Sequence, residues 1–340
     1  MRRLVWPLLA LLTLGVMLLC VCVGSVSIPL ADTLRVLLAT LRGDALPVGT
    51  MSSIILSVRL PRVLCVALEG ASLSLCGAAM QGLLRNPLAD GSTLGVSSGA
   101  SLGAALAILL GVSLPGLPLG GTMVMAMLFA FLSLVLILSL AWGLDHTLAT
   151  GSIILIGVIF SMFISSLMSL LVTFSGDRLR TITFWTMGSL SASSYASAGV
   201  LAAALAVGGG VLLACGPALN AFTLGESQAL HLGVSVKAVK LTVMIAVSML
   251  IGVCVSIGGG IGFVGLVAPH MLRMLLGPDH RRLLPACLPG GAIFLLLCDL
   301  AARTLLRPVE LPLGVVTSLI GAVVFVIIFS HTRKRRAGPC

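Results

Sequence analysis

Residues 120–142 read GGTMVMAMLFAFLSLVLILSLAW, and this stretch of 23 residues contains no charged side chain. A helix needs about 20 apolar residues to cross the hydrocarbon core of a bilayer, so the stretch predicts a membrane span. The rest of the chain has the same character, because 59% of its 340 residues are hydrophobic and only 9% are charged. A soluble domain carries about 25% charged residues. The composition therefore excludes a soluble enzyme, a disordered protein and a nucleic-acid-binding protein.

Further apolar runs of similar length lie on both sides of this stretch. Together they predict an all-α polytopic membrane protein with about ten transmembrane helices that form one domain over residues 1–340. The first run follows two arginines and is too long for the apolar region of a signal peptide, which predicts a retained helix. The other spans are expected at Leu4–Ser27, 62–80, 93–111, 150–172, 196–215, 240–257, 261–276, 284–302 and 312–331.

The basic residues predict the orientation, since cytoplasmic loops of membrane proteins are enriched in Lys and Arg. An even number of spans places both termini on one side, and these termini carry Arg2, Arg3 and the basic run Arg333–Arg336. That side has 12 basic residues and the other side has 8. We therefore expect both termini in the cytoplasm.

All basic residues predicted on the outer side are arginines. Arginine pairs with carboxylates through two parallel hydrogen bonds, which suits a fixed contact with an acid. Two interpretations remain open: the side chains interact with lipid headgroups and local acids such as Asp299, or they form a docking surface for an acidic partner. The residues are Arg35, Arg42, Arg59, Arg62, Arg178, Arg180, Arg303 and Arg307.

Two segments between spans are too polar to cross the membrane and have the pattern of short helices. Residues 28–58, with apolar positions interleaved with Arg35 and Arg42, predict a helix that lies at the outer membrane interface. Residues 216–239, on the inner side, contain a short helix bounded by Gly225 and Gly233. This inner segment either caps the bundle or is a contact for another subunit.

Short motifs of known enzymes carry no function here. Gly260–Gly265 spells GxGxxG, but it lacks the flanking strand and the later acid of a dinucleotide site, and it predicts close helix packing instead. Gly95–Gly99 spells GxSxG, but a hydrolase needs a base near Ser97, and only His270 falls inside a span. The sequence has no GxxxxGK[ST] phosphate-binding loop, so ATP hydrolysis would require another polypeptide. The nine cysteines have no metal-binding spacing, and we expect neither metal nor cofactor on this chain.

Three polar features lie inside the predicted spans. Glu69 is an isolated intramembrane acid, which indicates either a functional site or a pair with a neighbouring helix. Asp299 and Arg303 are four residues apart on one helix face and predict an ion pair. A row of serines with helical spacing lines either a polar route or a packing face between two helices; it consists of Ser161, Ser165 and Ser169.

Several motifs in a fixed order give the chain a family resemblance that covers almost its whole length. They are Arg59–Arg62 (RLPR), Gly77–Gln81, Asn86–Ala89 (NPLA), Leu94–Ala100 (LGVSSGA), Trp185–Leu190 (WTMGSL), Leu224–Glu226 (LGE), Leu232–Gly233, Gly262–His270 (GFVGLVAPH), Arg273, Asp279–Arg281 and Glu310–Gly314 (ELPLG). In these motifs the chain resembles the FecCD family of ATP-binding-cassette (ABC) importer permeases, which bring in iron–siderophores, haem or cobalamin.

The resemblance implies a BtuC-like permease fold in the bacterial plasma (inner) membrane, working as a homodimer with the path along its two-fold axis. It implies two partner ATPase subunits, which hold ATP and Mg, and a periplasmic or lipid-anchored substrate-binding protein. It assigns docking of the binding protein to Arg59, Arg62 and Arg303. Coupling to the ATPase is assigned to Leu224, Gly225, Glu226, Ala229, Leu232 and Gly233, and the helix that carries Ser161, Ser165 and Ser169 is placed beside the path.

The expected function is therefore permeation of an iron–siderophore or haem-type chelate without chemical change, powered by a separate ATPase. A cobalamin permease of the same family is the first alternative. A second alternative from another class is a single-chain secondary transporter, in which Glu69 and Asp299 would bind protons from an ion gradient. The chain departs from the family pattern at Glu69, because that position is commonly apolar.

Overall fold

A computed structural model describes residues 5–24, 26, 28–44, 50–113, 120–146 and 149–336 of the chain. All regular secondary structure among these residues is helical. The α-helices are α1 Val5–Cys22, α2 Leu30–Arg42, α3 Thr50–Ser53, α4 Leu60–Leu83, α5 Val96–Leu110, α6 Gly120–Leu144, α7 Thr150–Thr173, α8 Leu179–Thr186, α9 Tyr195–Ala204, α10 Gly210–Ala214, α11 Gly216–Phe222, α12 Glu226–His231, α13 Val236–Gly258, α14 Val264–Leu276, α15 His280–Thr304 and α16 Leu313–Arg336.

Each of the ten predicted spans corresponds to a helix. Seven helical stretches among the described residues are long and apolar enough to cross a membrane, and α5, α14 and the first part of α16 are shorter apolar helices. The π-helical turns Ile54–Arg59 and Leu205–Gly209 join α3 to α4 and α9 to α10, so each pair forms one continuous helix. The predicted division near Gly258 is confirmed, because α13 ends at this residue and α14 begins at Val264.

The two segments predicted between spans contain helices, with one correction of their bounds. In residues 28–58, α2 is the expected amphipathic helix, but the second span already begins at Thr50, directly after residues 45–49, which lie outside the described residues. The reason is that the apolar residues Ile54, Ile55 and Leu56 continue the helix of α4 towards the N-terminus. In residues 216–239, α12 lies between Gly225 and Gly233, as expected.

Helix α4 forms the centre of the bundle. Its membrane-spanning window is 83% buried, whereas the corresponding windows of α1 and α7 are 22% buried, and it packs against α13, α14 and α15. Glycines make this close packing possible: Gly77 faces the backbone of Gly265 on α14, and Gly70 faces that of Gly291 on α15. The GxGxxG motif that ends at Gly265 is therefore a helix-packing element, as predicted.

Gly77→Ala is expected to lower the free energy of unfolding by about 1–3 kcal/mol, the usual cost of overpacking a filled core. The added methyl group would overlap the backbone of Gly265, so two helices would have to move apart. Gly199→Ala in α9 is the matched control, because a Cβ there meets no atom within 4 Å. Denaturant unfolding of the purified chain measures both, and equal effects of the two substitutions would contradict this account of the packing.

Candidate functional site

The predicted ion pair of Asp299 and Arg303 is confirmed, and it is part of a larger group that we call the Asp299 cluster: Asp299, Arg62, Arg303 and Glu310. Asp299 is fully buried on α15. Its Oδ1 accepts hydrogen bonds from Arg62 Nε at 3.1 Å and Nη2 at 2.9 Å, and its Oδ2 lies 2.9 Å from Arg303 Nε. Arg62 Nη1 also donates to Glu310 Oε2 at 2.8 Å. The cluster thus fastens α4 and α15 to the segment before α16.

Arg303 of this cluster and the neighbouring Arg59 bind the C-terminal end of α1. Arg59 Nη1 donates to the carbonyl oxygens of Val21 at 2.7 Å and Cys22 at 2.8 Å, and its Nη2 donates to that of Val26. Arg303 donates to the carbonyl of Cys20 at 3.3 Å. The last carbonyls of a helix have no partner within the helix and carry partial negative charge, so cations stabilise them.

The three arginines assigned to docking are therefore occupied within the chain. Arg59, Arg62 and Arg303 are only 4–8% exposed. Arg62 and Arg303 pair with the local acids Asp299 and Glu310, which is the first of the two interpretations given for the outer arginines. Their contact with a binding protein stays a prediction. The exposed arginines of the predicted outer side are Arg35, Arg42, Arg178, Arg180 and Arg307.

The residues assigned to coupling divide into an exposed and a buried group. Leu224 and Leu232, which flank α12, are 64% and 62% exposed, and Leu230 within it is 58% exposed. Ala229 is fully buried on the opposite face. Gly225 and Gly233 have φ angles of +113° and +80°, a conformation that glycine adopts without strain. The segment therefore presents three leucines away from the bundle, together with the exposed polar residues Ser227, Gln228 and His231.

Glu226 connects α12 to two long helices. Its Oε2 accepts a hydrogen bond from Lys240 Nζ of α13 at 2.7 Å, and its Oε1 accepts one from Thr150 Oγ1 of α7 at 2.9 Å. Lys240 is 1% exposed. Sequence reasoning identified Glu226 but missed Lys240 and Thr150, although a lysine in the first turns of an apolar span indicates a partner acid.

A second polar contact joins the neighbouring helix α11 to the start of α15. Asp279, which caps α15, accepts hydrogen bonds from Asn220 Nδ2 at 2.7 Å and from the backbone N–H of Arg281 at 3.0 Å. The contact with Asn220, followed by that with Arg281, holds the pKa of Asp279 below its ordinary value. Because Asp279 caps α15 and Asp299 lies 20 residues further along it, the helix connects two sites about 30 Å apart.

The intramembrane residues Ser165 and Ser169 are exposed on α7, and Ser161 is half-buried. Ser169 Oγ bonds the carbonyl of Ser165 at 3.0 Å, one turn earlier in the same helix. Against the described residues the row therefore makes no helix-packing face, and its role beside a path stays a prediction. Glu69 is fully buried, and its carboxyl oxygens have no hydrogen-bond partner among the described residues, so the predicted pair with a neighbouring helix is not formed.

Comparison with known proteins defines the class to which this helical bundle belongs: it is a membrane permease of ABC importers. The chain belongs to the FecCD transport family, which matches residues 11–331. It is 38% identical over 339 residues to the hemin transport system permease protein HmuU of Yersinia pestis, covering 98% of this chain and 99% of HmuU. It is 41% identical to the vitamin B12 import system permease protein BtuC of Klebsiella pneumoniae, covering 82% of each chain.

Two further relatives support the same class. The chain is 41% identical to the uncharacterized ABC transporter permease protein YvrB of Bacillus subtilis, over 93% of this chain and 89% of YvrB. A solved structure described as an inward-facing conformation of a metal-chelate type ABC transporter is 32% identical and superposes with a TM-score of 0.84, covering 97% of this chain and all of that one. The expected BtuC-like permease fold is confirmed, and membership of this family argues against a single-chain secondary transporter.

Proposed function

We propose that this chain is the permease of an importer that moves an iron chelate, either an iron–siderophore or haem, from a separate binding protein into the cytoplasm. The end-to-end similarity to the haem permease HmuU supports this cargo class. The similarity to BtuC of Klebsiella pneumoniae keeps cobalamin as the second candidate.

The proposed location is the bacterial inner membrane with both termini cytoplasmic. Arg2 and Arg3, and the side chains of Arg333–Arg336, lie outside the described part of the chain.

The observation that carries an ATP-driven function is the two-sided arrangement of α12. Three exposed leucines on and beside α12, set among exposed polar side chains, suit contact with a partner protein, while Glu226 holds the helix to α7 and α13. A partner that moves α12 would therefore move α7, which carries Ser161, Ser165 and Ser169. In this proposal two copies of the chain enclose the path, and two ATPase subunits bind ATP and Mg and grip the α12 of each copy.

Docking of the binding protein is proposed at the surface above the Asp299 cluster. Glutamates of the partner would compete with Asp299, Glu310 and the α1 carbonyls for Arg59, Arg62 and Arg303. Glu310 is the most accessible of these competitors, since its side chain is 40% exposed. Docking is therefore expected to begin by displacing Glu310 from Arg62.

Glu310→Gln is expected to raise the affinity for the acidic binding protein about threefold or more, because Arg62 loses a competing carboxylate. The affinity should also fall more steeply with added salt, since the surface becomes more positive. Binding measured at low and high salt with membranes or nanodiscs containing the permease checks both effects. Arg307→Glu, an exposed change of opposite sign, should weaken binding; an unchanged affinity in both variants would contradict docking at this surface.

Reconstitution tests the proposed function as a whole. The permease, its ATPase and its binding protein are placed in liposomes, and ATP-dependent uptake of haem, a ferric siderophore and cobalamin is compared. We expect uptake of an iron chelate only when the ATPase and ATP are present. Preferential uptake of cobalamin would overturn the cargo assignment. Uptake driven by an ion gradient without the ATPase would overturn the mechanism.

A further inference from the structure

In the interior of the bundle, Glu69 of α4 is an acid without a hydrogen-bond or ion-pair partner among the described residues. It is fully buried, and neither oxygen of its carboxyl group has a hydrogen-bond partner among the described residues. Arg62, two turns away on the same helix, is bound to Asp299 and Glu310. A buried carboxylate that lacks both a cation and hydrogen-bond donors is strongly unfavourable. A positively charged species must therefore accompany the carboxylate.

The carboxyl group of Glu69 lies against the end of a helix that disfavours a negative charge. A Cβ placed on Gly258, the last residue of α13, would lie only 2.8 Å from Cδ of Glu69, so glycine is required for the carboxyl group to fit there. The C-terminal end of a helix carries a partial negative charge. The position thus combines burial, missing donors and a repulsive helix end, all of which favour the neutral form of the acid.

A cavity connects Glu69 to a second acid. It has a volume of about 170 Å³ and is lined by Glu69, Asp90, Ser97 and the non-helical residues 259–263 between α13 and α14. On this measure of volume one water molecule needs about 10–15 Å³, so the cavity accommodates several. Pockets for drug-sized ligands measure about 300–1,000 Å³, so this cavity is too small for the chelate itself.

The two acids occupy opposite electrostatic positions. Asp90 lies at the first turn of α14, where a Cβ on Gly265 would be 3.5 Å from the Cβ of Asp90, and a helix N-terminus stabilises a carboxylate. Glu69 lies at a helix C-terminus instead. The other titratable groups near Glu69 are the thiols of Cys65 on α4 and Cys254 on α13. Helix α15 presents Gly291 and Leu295 to the adjacent turn of α4.

We propose that Glu69 is a proton-binding site, that it holds a proton in this conformation, and that it exchanges this proton with water in the cavity. Release breaks the O–H bond of the carboxylic acid and transfers the proton to a cavity water, which leaves a hydrated carboxylate. Because both carboxyl oxygens of Glu69 are buried, the exchange requires residues 259–263 to shift and admit water to them. The proton site does not depend on the identity of the cargo.

Infrared difference spectroscopy tests the occupancy directly. The full chain, alone and with its ATPase, is reconstituted in nanodiscs and transferred between H₂O and D₂O. We expect a carbonyl-stretch band of a protonated carboxylic acid that shifts in D₂O, is lost in Glu69→Gln and persists in the control Asp177→Asn, an exposed acid. Glu69→Val, which should be tolerated as an apolar residue, must remove the same band if Glu69→Gln fails to fold.

The pH dependence of ATP-driven uptake tests whether the proton is exchanged during the cycle. If the proton is exchanged during the cycle, uptake by the unmodified chain should change with pH, because the ionised fraction of an acid changes up to about tenfold per pH unit near its pKa. Glu69→Gln should remove that change. No band, or a band that persists in both Glu69 variants, would overturn the proton site even if uptake itself proceeds. ATP-driven uptake could instead depend on Na⁺ or K⁺ at constant pH and lose this dependence in Glu69→Gln. That result would assign the cavity to a metal cation and overturn the proposal.

Discussion

Asp299→Asn is expected to lower the free energy of unfolding by about 3–5 kcal/mol, the cost of removing one partner from a buried ion pair. The substitution preserves the shape of the side chain but removes its charge. Arg62 and Arg303 would then remain buried with two positive charges facing one neutral amide. Arg62 retains Glu310, and Arg303 retains the carbonyls of α1, so the fold should survive with reduced stability.

Chemical unfolding of the purified chain in detergent measures the effect. Asp32→Asn is the matched control, because Asp32 and Arg35 are 3.9 Å apart and both side chains are exposed. An exposed pair contributes about 0–1 kcal/mol, so this control should have little effect. If Arg303→Gln is combined with Asp299→Asn, the decrease in the free energy of unfolding should be smaller than the sum of the decreases caused by the two single substitutions. Strict additivity would contradict the direct pairing.

Lys240→Met is expected to reduce cargo uptake per ATP hydrolysed about tenfold, which corresponds to about 1.4 kcal/mol of lost coupling. This prediction depends on the proposed grip of an ATPase on α12. Without Lys240, the side chain of Glu226 keeps only its hydrogen bond to Thr150 among the described residues, so movement of α12 reaches α13 only through the connecting loop. Methionine preserves the length of the side chain without its charge and suits a site that is 1% exposed.

Lys237→Met provides the control within the same helix turn. Lys237 is exposed and lies over the ring of Trp142 at 3.7 Å, without contact to Glu226. Simultaneous measurement of ATP hydrolysis and uptake in liposomes distinguishes loss of coupling from loss of folded protein. Hydrolysis should persist in both variants, and uptake should persist only in Lys237→Met. Normal uptake by Lys240→Met would show that Glu226 does not transmit the movement.

The helices could be predicted from the sequence because membrane spanning imposes a simple physical rule. About 20 apolar residues are needed for each crossing, and runs such as 120–142 satisfy it unambiguously. The predicted start of the second span at residue 62 is too late, because the charges of Arg59 and Arg62 indicate the edge of the membrane. In the folded chain their charges are neutralised or hydrogen-bonded, so the helix continues through them.

The partners of the polar residues were harder to predict than the helices. Asp299 and Arg303 are one turn apart, and their pairing follows from helix geometry alone. Arg62 and Asp299 are separated by 237 positions, and Lys240 reaches Glu226 across a loop, so these contacts depend on how the helices pack. For the same reason the sequence identifies Glu69 of α4 as unusual but does not show that its carboxyl group lies beside Gly258, the last residue of α13.

The burial of α4 has a consequence for biosynthesis. Its Arg62 leaves the ribosome long before Asp299 is made, and at about 5–20 residues per second the delay is about 12–47 s. During that time a helix that carries both Arg62 and Glu69 has no α13, α14 or α15 to cover it. We therefore expect nascent chains that stop before residue 299 to remain bound to the insertion machinery or to be degraded. Crosslinking of stalled chains to the translocon before and after this residue would reveal the change.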